Sequence, residues 1–433
     1  MALDPTQYDV PLSASRWDRL LFSLEHRILS PGASDAARLR GYLRVKEWRE
    51  ARSLRERLHH VRVAAKLPAR AVRIARAAVR AHGDRVRQEA GVSRRRQLLH
   101  LWWLAVRHGI TPEVYYTYRL YQPGALGRAP NFLQGAEATS FFRLLAARTC
   151  PDELELLQSK GAFEAWLVER GFPTVRTLVE FAGGVEARLA LPEGHLPHVD
   201  LFSKPDDSLG GRGTQRWPFD GERWVDLDGR RLTEAELRAE LAGRVRGGGT
   251  ILLQERMRNH HRLAPLAPAT LSTVRIITLR DRPGEPPRVV LGVAKIPTGD
   301  AAADHMRLGG VAAPIDVDTG RLGSAVRPDK HAGVATVDRH PDTGATIPGF
   351  QLPLWQEATA LAMRAHAALP CILCVGWDIA LLEDGPIIVE GNSSPGGKSS
   401  QLPSGVGVGE TPIIRALHAA IRASFTDGGP AAR

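Results

Sequence analysis

The sequence predicts an α+β (mixed α/β) protein whose strand-and-helix lobes follow a basic, helical N-terminal region. Three observations carry this. Residues 36–110 are rich in Ala, Leu and Arg with few breakers, a composition that favours helices. From about Thr149, short apolar runs of strand length mix with helical stretches and are joined by short Gly/Pro turns, so strands pair with neighbours and helices cover them. The 433 residues are 43% hydrophobic, enough for two or three domains with substantial cores. The sequence shows no internal repeat.

The basic region comes first in the chain. Arg38 to Arg107 holds 20 Lys/Arg against 5 Asp/Glu, a local net of +15, whereas the whole chain carries +11. The remainder is therefore net acidic. The basicity is local, and no specific nucleic acid is expected as a partner. Leu39, Leu43, Leu54, Leu58 and Val61 recur at three- and four-residue steps, the spacing of an amphipathic helix. Pro68 and Gly83 are expected to divide the region into several helices. Residues 38–107 suit an anionic membrane or polysaccharide surface. A solvated face that pairs with the acidic remainder explains them equally well.

Next, Thr111-Pro112-Glu113 has the form of a helix cap, a first-turn Pro and a first-turn acid. The stretch GITPEVYYTYRLYQPG holds four of the six tyrosines, expected to pack the helical region against the next part of the chain. SKGAFEAWLVERGFPTVRTLVEF predicts a helix ending at Gly171 and then a strand. HVDLFSKP and GTILLQERM predict two more strands, and TVRIITLR and RVVLGVAKI pair across DRPGEPP. PLWQEATALAMRAHAAL predicts a helix, and the tail after Phe425 is expected to be loose.

Cys150, Cys371 and Cys374 are too few for a disulfide framework, which fits a reducing compartment. Cys371 and Cys374 lie in CILCVGW, an apolar strand, and are expected in the core. MALDPTQYDV is no signal peptide, and LLHLWWLAV is too short to span a bilayer. A soluble, cytoplasmic protein is expected, peripheral to the inner membrane face if the basic helices meet lipid.

The chemistry concentrates in VGWDIALLEDGPIIVEGN. Glu383-Asp384-Gly385 predicts a three-residue hairpin loop, with Pro386 tolerated at the start of the return strand. That register sets Asp378 opposite Glu390, with Asn392 on the same face, and sends Ile379, Leu381, Ile387 and Val389 to the other. Facing carboxylates destabilise a strand pair, so a compensating charge is expected. A divalent cation such as Mg²⁺ takes oxygen ligands of this kind. The alternative is a solvated hairpin face.

Further motifs point to an anionic ligand. In FSKPDDSLGGRGTQ, Lys204 ends a strand, and Gly210, Gly211 and Gly213 surround Arg212. Such a loop lets backbone N–H groups approach phosphate oxygens while Lys and Arg supply charge. It lacks the G-K-[ST] of a Walker A loop. In LLQERM, Gln254-Glu255 end an apolar strand, where the backbone could meet a purine. Arg275 sits inside the apolar strand STVRIITL and requires a counter-ion or an anion, because an unpaired buried charge is expensive. Lys295 shares that face in the adjoining strand, and a structural ion pair explains it equally well.

The order of these pieces (strand-Lys, Gly-rich loop, strand with QE, strand with Arg, then D…E-G-N) resembles the ATP-grasp superfamily. It resembles more closely the sugar-transfer-associated ATP-grasp domains, through GITPEVYYTYRL, SKGAFEAWLVERGFPTV, SKPDDSLGGRG, ILLQERMRNHHRLAPLAPATLSTVRIITL, DHMRLGGVAAPIDVDTG and GWDIALLEDGPIIVEGN. The resemblance covers roughly Leu99 to Leu417. It implies linker helices and a nucleotide-binding lobe at 111–250 and a second lobe at 251–425, between the basic helical region expected at 1–110 and the loose tail expected at 426–433. It also implies that Lys204 contacts phosphate, that Lys160 matches the nucleotide-binding lysine that begins the nucleotide lobe, that Gly210, Gly211, Arg212 and Gly213 form a lid, and that Gln254 and Glu255 meet adenine. Arg275, beside Lys295, would face the transferring phosphoryl group, and Asp378, Glu390 and Asn392 would hold Mg²⁺. The expected activity is ATP- and Mg²⁺-dependent joining of a small-molecule carboxylate to an amine or alcohol through an acyl-phosphate, in polysaccharide or natural-product biosynthesis. Lys295 stands where the family often carries Arg, and His305 follows Asp304 where Asn is common, which marks an altered substrate contact. One alternative is a small-molecule or sugar kinase on the same fold, for which Asp304 is the candidate base. A second is a non-catalytic module that binds polyanions or membrane.

Overall fold

The computed structural model describes residues 34–40, 53–191, 194–206, 213–299, 304, 306–329 and 333–426. The chain divides into two units, one of residues 1–149, 328–335 and 394–433, the other of 150–327 and 336–393.

In the first unit a single helix runs from Leu54 to Ala90, through both Pro68 and Gly83. The expected breaks do not occur. Pro68 removes one intrahelical hydrogen bond, a local cost within a long helix. Gly83 serves close packing: a Cβ there would meet Val79 Cγ1 at 2.9 Å and Arg94 Cγ at 3.3 Å. Gln97 Nε2 donates to the carbonyls of Gly83 (2.9 Å) and Val92 (2.8 Å), pinning the helix Arg94–Trp103 beside it. The buried stripe also differs from the predicted one. Leu39 is buried, but Leu54 and Leu58 are exposed, and the packed positions of the long helix are Ala71, Ala75, Val79 and Val86. Small residues let helices approach closely, which a leucine stripe would prevent. Leu43 and the Val61 side chain lie outside the described residues, as does the tail beyond residue 426. Tyr115, Tyr116 and Tyr121 are buried in this unit's core with Leu101, Leu104 and Ile110.

The second unit holds two antiparallel sheets. The strands are β1 (Thr177–Ala182), β2 (Val185–Leu189), β3 (Leu201–Pro205), β4 (Gln215–Trp217), β5 (Trp224–Val225), β6 (Arg231–Leu232), β7 (Thr250–Glu255), β8 (Thr273–Leu279), β9 (Arg288–Ile296), β10 (Val311–Ile315), β11 (Ala325–Asp329), β12 (Gly333–Val337), β13 (Cys374–Leu382) and β14 (Gly385–Asn392), all within the second unit except residues 328–329 of β11 and 333–335 of β12, which count with the first. The smaller main sheet runs β2-β1-β7-β3-β4, and the larger β12-β11-β10-β9-β8-β13-β14; β5 and β6 form a separate pair. β8 and β9 pair as expected, Arg275 facing Val293 and Thr273 facing Lys295. The smaller sheet buries Val179, Phe181, Leu201, Trp217 and Leu253 against the helix Glu234–Arg244. Thr233 and Glu236 form a reciprocal capping box at that helix's start. The larger sheet packs Ile276, Trp377, Ile379 and Leu381 with Ala358, Leu361 and Ala365 of the helix Trp355–Ala367.

One expectation is corrected here. Cys150 and Cys371 form a disulfide across a sequence separation of 221, and Cys374 is the buried free thiol. Cys150 precedes the helix Pro151–Gln158 and Cys371 precedes β13. Sequence spacing carries no signal for a pair brought together by tertiary structure. Among the described residues, no helix is long and apolar enough to cross a membrane.

Candidate active site

The β13–β14 hairpin sets Asp378 directly opposite Glu390, as the sequence predicts, but by a different route. The turn has two residues, Glu383-Asp384, with Leu382 paired to Gly385. The register then shifts between Asp378 and Ile379, so one extra residue on β14 restores the Asp378–Glu390 pair. That shift changes which side chains enter the core. Ile379 and Leu381 are buried on β13, but on β14 Ile388 is the buried apolar side chain, while Ile387 and Val389 are half-buried.

The compensating charge also comes from within the chain. β13 pairs with β8 so that Asp378 faces Arg275, and Lys295 lies on the next strand beyond. Arg275 grips the carboxylate with both arms, Nε to Oδ1 at 2.7 Å and an Nη to Oδ2 at 2.7 Å. Lys295 Nζ donates to Oδ2 at 2.6 Å. The two cations expected to await an anionic ligand are thus both held by Asp378. Burial alone would raise the Asp378 pKa. Arg275 and Lys295 outweigh it and hold the carboxyl below the usual range. Beside them, Asp304 accepts from the Thr273 backbone N–H (2.7 Å) and hydroxyl (2.6 Å). Burial raises the Asp304 pKa, with Lys295 opposing.

Glu390 is different. Its carboxylate makes no hydrogen bond or ion pair among the described residues. It lines a narrow cleft with Lys160, Lys204, Gln254, Glu164 and Thr174. Lys160 opens the helix Lys160–Glu169, capped by Ser159, and its Nζ donates to Pro205 O at 3.1 Å. Lys204 lies on β3 opposite Leu252 of β7. Burial lowers its pKa, and the largest opposing influence is Glu390. Thr174 donates to Ile388 O at 2.8 Å, tying one wall of the cleft to β14.

The cleft residue Glu164 and its partner Thr177 escape the sequence reading. Glu164 is buried and accepts from the Thr177 N–H at 2.6 Å and from its hydroxyl. Gln254 Nε2 in turn donates to Thr177 Oγ1 at 3.2 Å. The available signal was spacing, since Glu164 follows Lys160 by four residues and so shares its helix face.

The remaining site residues divide. Glu255 is exposed, pairs with Leu201 and does not line the cleft. Asn392 faces Gly376 and donates to its carbonyl at 3.3 Å. Gly210, Gly211, Arg212 and His305 lie outside the described residues. Gly213 has φ +72°, and a Cβ there would meet Pro205 Cγ at 2.9 Å. Backbone conformation and close approach both require glycine at that loop's end.

The donor set can be tested against a hard cation. Glu390 and Asn392 offer side-chain oxygens, the ligands Mg²⁺ prefers. Asp378 has about four acceptor sites, of which three are taken by Arg275 and Lys295. One site remains on Oδ1, so the residues fit a Mg²⁺ held chiefly by Glu390 and Asn392, with Asp378 at most monodentate.

A smaller antiparallel sheet that carries Lys204, a helix that opens with Lys160, and a larger antiparallel sheet that carries the D…E-G-N hairpin are the arrangement expected of an ATP-grasp protein. Residues 144–413 match the family described as sugar-transfer associated ATP-grasp, and the chain belongs to that family. No curated protein matches the chain. Among solved structures, it is similar to the D-alanine–D-alanine ligase of Bacillus anthracis at 14% identity, with 63% of this chain and 70% of that one covered and a TM-score of 0.36. The same enzyme complexed with ATP gives 11% identity, coverage of 63% and 69%, and a TM-score of 0.35. D-cycloserine synthetase gives 15% identity, coverage of 72% and 82%, and a TM-score of 0.33.

Proposed function

We propose that the protein is an ATP- and Mg²⁺-dependent ligase that activates a small-molecule carboxylate as an acyl-phosphate and joins it to an amine or alcohol. The observation that carries the reading is one cleft. Lys160 and Lys204 converge there with Glu390, a carboxylate without an ion-pair partner among the described residues, beside the Asp378–Arg275–Lys295 cluster. Family membership supports ATP as the substrate.

Lys160 and Lys204 bind the phosphates, and the low dielectric around Lys204 strengthens that attraction. Gln254, fixed through Thr177 and Glu164, lines the adenine side. Glu390 and Asn392 would hold Mg²⁺, which when bound would neutralise charge on the transferring phosphoryl group. Arg275 and Lys295 keep Asp378 oriented and maintain a positive potential on that face. A carboxylate oxygen of the substrate attacks the γ-phosphorus, and the bond to ADP breaks with its electron pair leaving on ADP. The acceptor nitrogen or oxygen then attacks the acyl carbon. The C–O bond breaks, phosphate departs and the acceptor loses a proton. Polysaccharide or natural-product assembly is the setting in which we place this step.

The test is an assay with ATP, Mg²⁺ and panels of sugar acids and amino acids, with hydroxylamine as acceptor. The expected result is ADP, free phosphate and a hydroxamate. A stable phosphomonoester without hydroxamate would replace this reading by a kinase, with Asp304 as the base candidate.

Lys204→Ala is expected to weaken ATP binding by roughly 10- to 150-fold, the worth of about 1.5–3 kcal/mol for a hydrogen bond to a charged group. Calorimetry showing parental affinity would remove Lys204 from the phosphate site.

A further inference from the structure

The helix Arg94–Trp103 reads RRRQLLHLWW. Its inward side is Gln97 and Leu101, both buried. Arg95, Leu99, Trp102 and Trp103 fall at i, i+4, i+7 and i+8, so they form one stripe on a different side. That stripe faces water: Leu99 is 66% exposed, Trp102 39% and Trp103 40%, and Arg95 and Arg96 are exposed as well. Two adjacent indoles and a leucine on one exposed stripe are more than scattered surface apolars.

The surroundings are strongly cationic. Residues 53–107 hold 14 Lys/Arg and 3 Asp/Glu. Two of those acids are already engaged, Asp84 by Arg94 and Glu89 by Arg85 and Arg119. Arg73, Arg76, Arg80 and Arg87 of the preceding helix are exposed.

We propose that this helix docks the protein on an anionic lipid bilayer, with Leu99, Trp102 and Trp103 entering at headgroup depth and the arginines pairing with lipid phosphates. Tryptophan suits that depth because its ring is apolar while its N–H keeps a polar partner. The helix is too short to span, so it lies in the interface plane. Charge complementarity selects the occupant. A second copy of the chain would bring an equally cationic surface and be repelled. A soluble polyanion would satisfy the arginines but offer nothing to Leu99 and the indoles. A bilayer with anionic headgroups satisfies both, and each basic residue near it adds affinity.

The experiment is co-sedimentation of the full chain with phosphatidylcholine vesicles, with and without phosphatidylglycerol. Binding to the anionic vesicles alone, weakened by salt, is expected. Trp102→Ser/Trp103→Ser should weaken it by at least about tenfold, and Arg95→Gln/Arg96→Gln should weaken it most at low salt. Thermal melts identify any variant that fails to fold, and the single change Leu99→Ser, at the most exposed position, is then the replacement, again expected to lower vesicle binding. Vesicle binding unaltered by the apolar changes, or retention on a heparin column without vesicle binding, overturns the proposal in favour of a polyanion. A vesicle-free dimer that the tryptophan changes dissociate overturns it in favour of self-association.

Discussion

Glu390→Gln is expected to fold as the parent does and to lose ATP-dependent turnover by roughly 10²–10³-fold, the scale of removing one group that stabilises developing charge. The substitution keeps size and shape and removes one charge. In the folded chain the carboxylate makes no hydrogen bond or ion pair among the described residues. It does act on Lys204, whose pKa it supports against burial, so the variant also lowers that pKa further. Two readouts separate the roles. Turnover titrated with Mg²⁺ should require more metal and reach a lower plateau, while the thermal transition stays near the parent's. Parental turnover at saturating Mg²⁺ would sink the metal-ligand assignment.

The site was legible where its logic is local. The facing of Asp378 and Glu390 follows from alternation along one hairpin. It holds despite the shorter turn because the extra residue on β14 compensates for a loop one residue shorter than expected. The choice of Ile387 and Val389 as core residues does not hold, because a one-residue shift moves side chains to the opposite face. What satisfies Asp378 was not legible as a set. Arg275 and Lys295 stand out as charges in apolar strands, and β8 and β9 are sequence neighbours, but the convergence on Asp378 depends on β13 lying beside β8, a pairing of Arg275 with Asp378 across 103 positions. The Cys150–Cys371 bond is hidden for the same reason. Glu164 and Thr177 are hidden differently. Each resembles an ordinary helix or strand residue, and only the fold brings both beside Gln254. In the N-terminal region the leucine spacing suggests a stripe that the chain does not bury, since alanine and valine make its helix contacts.

Asp378→Asn is expected to cost about 3–5 kcal/mol of stability at neutral pH, the range for leaving buried charges without their partner. Unlike Glu390, Asp378 is a structural centre: it is 4% exposed and neutralises both Arg275 and Lys295. An amide keeps the shape and one acceptor oxygen but leaves the cations of β8 and β9, diagonal neighbours in the sheet, without the charge they share. The pH dependence identifies the cause. The folded-state pKa of Asp378 lies below that of the unfolded chain, about 3.9, because of Arg275 and Lys295. Its stabilisation is therefore fully present above that unfolded value and is lost as pH falls toward the folded one. Urea unfolding should show a wide gap between parent and variant at neutral pH and a narrower one in acid. A gap of constant size would mean that packing rather than charge is lost. Replacing the whole cluster, as Asp378→Leu/Arg275→Met/Lys295→Met, should recover much of the lost stability, since apolar residues can substitute for a buried ion cluster. Turnover should not return with it, because the potential beside Glu390 goes when the charges go. Recovery of stability together with activity would show that the three residues serve the fold alone.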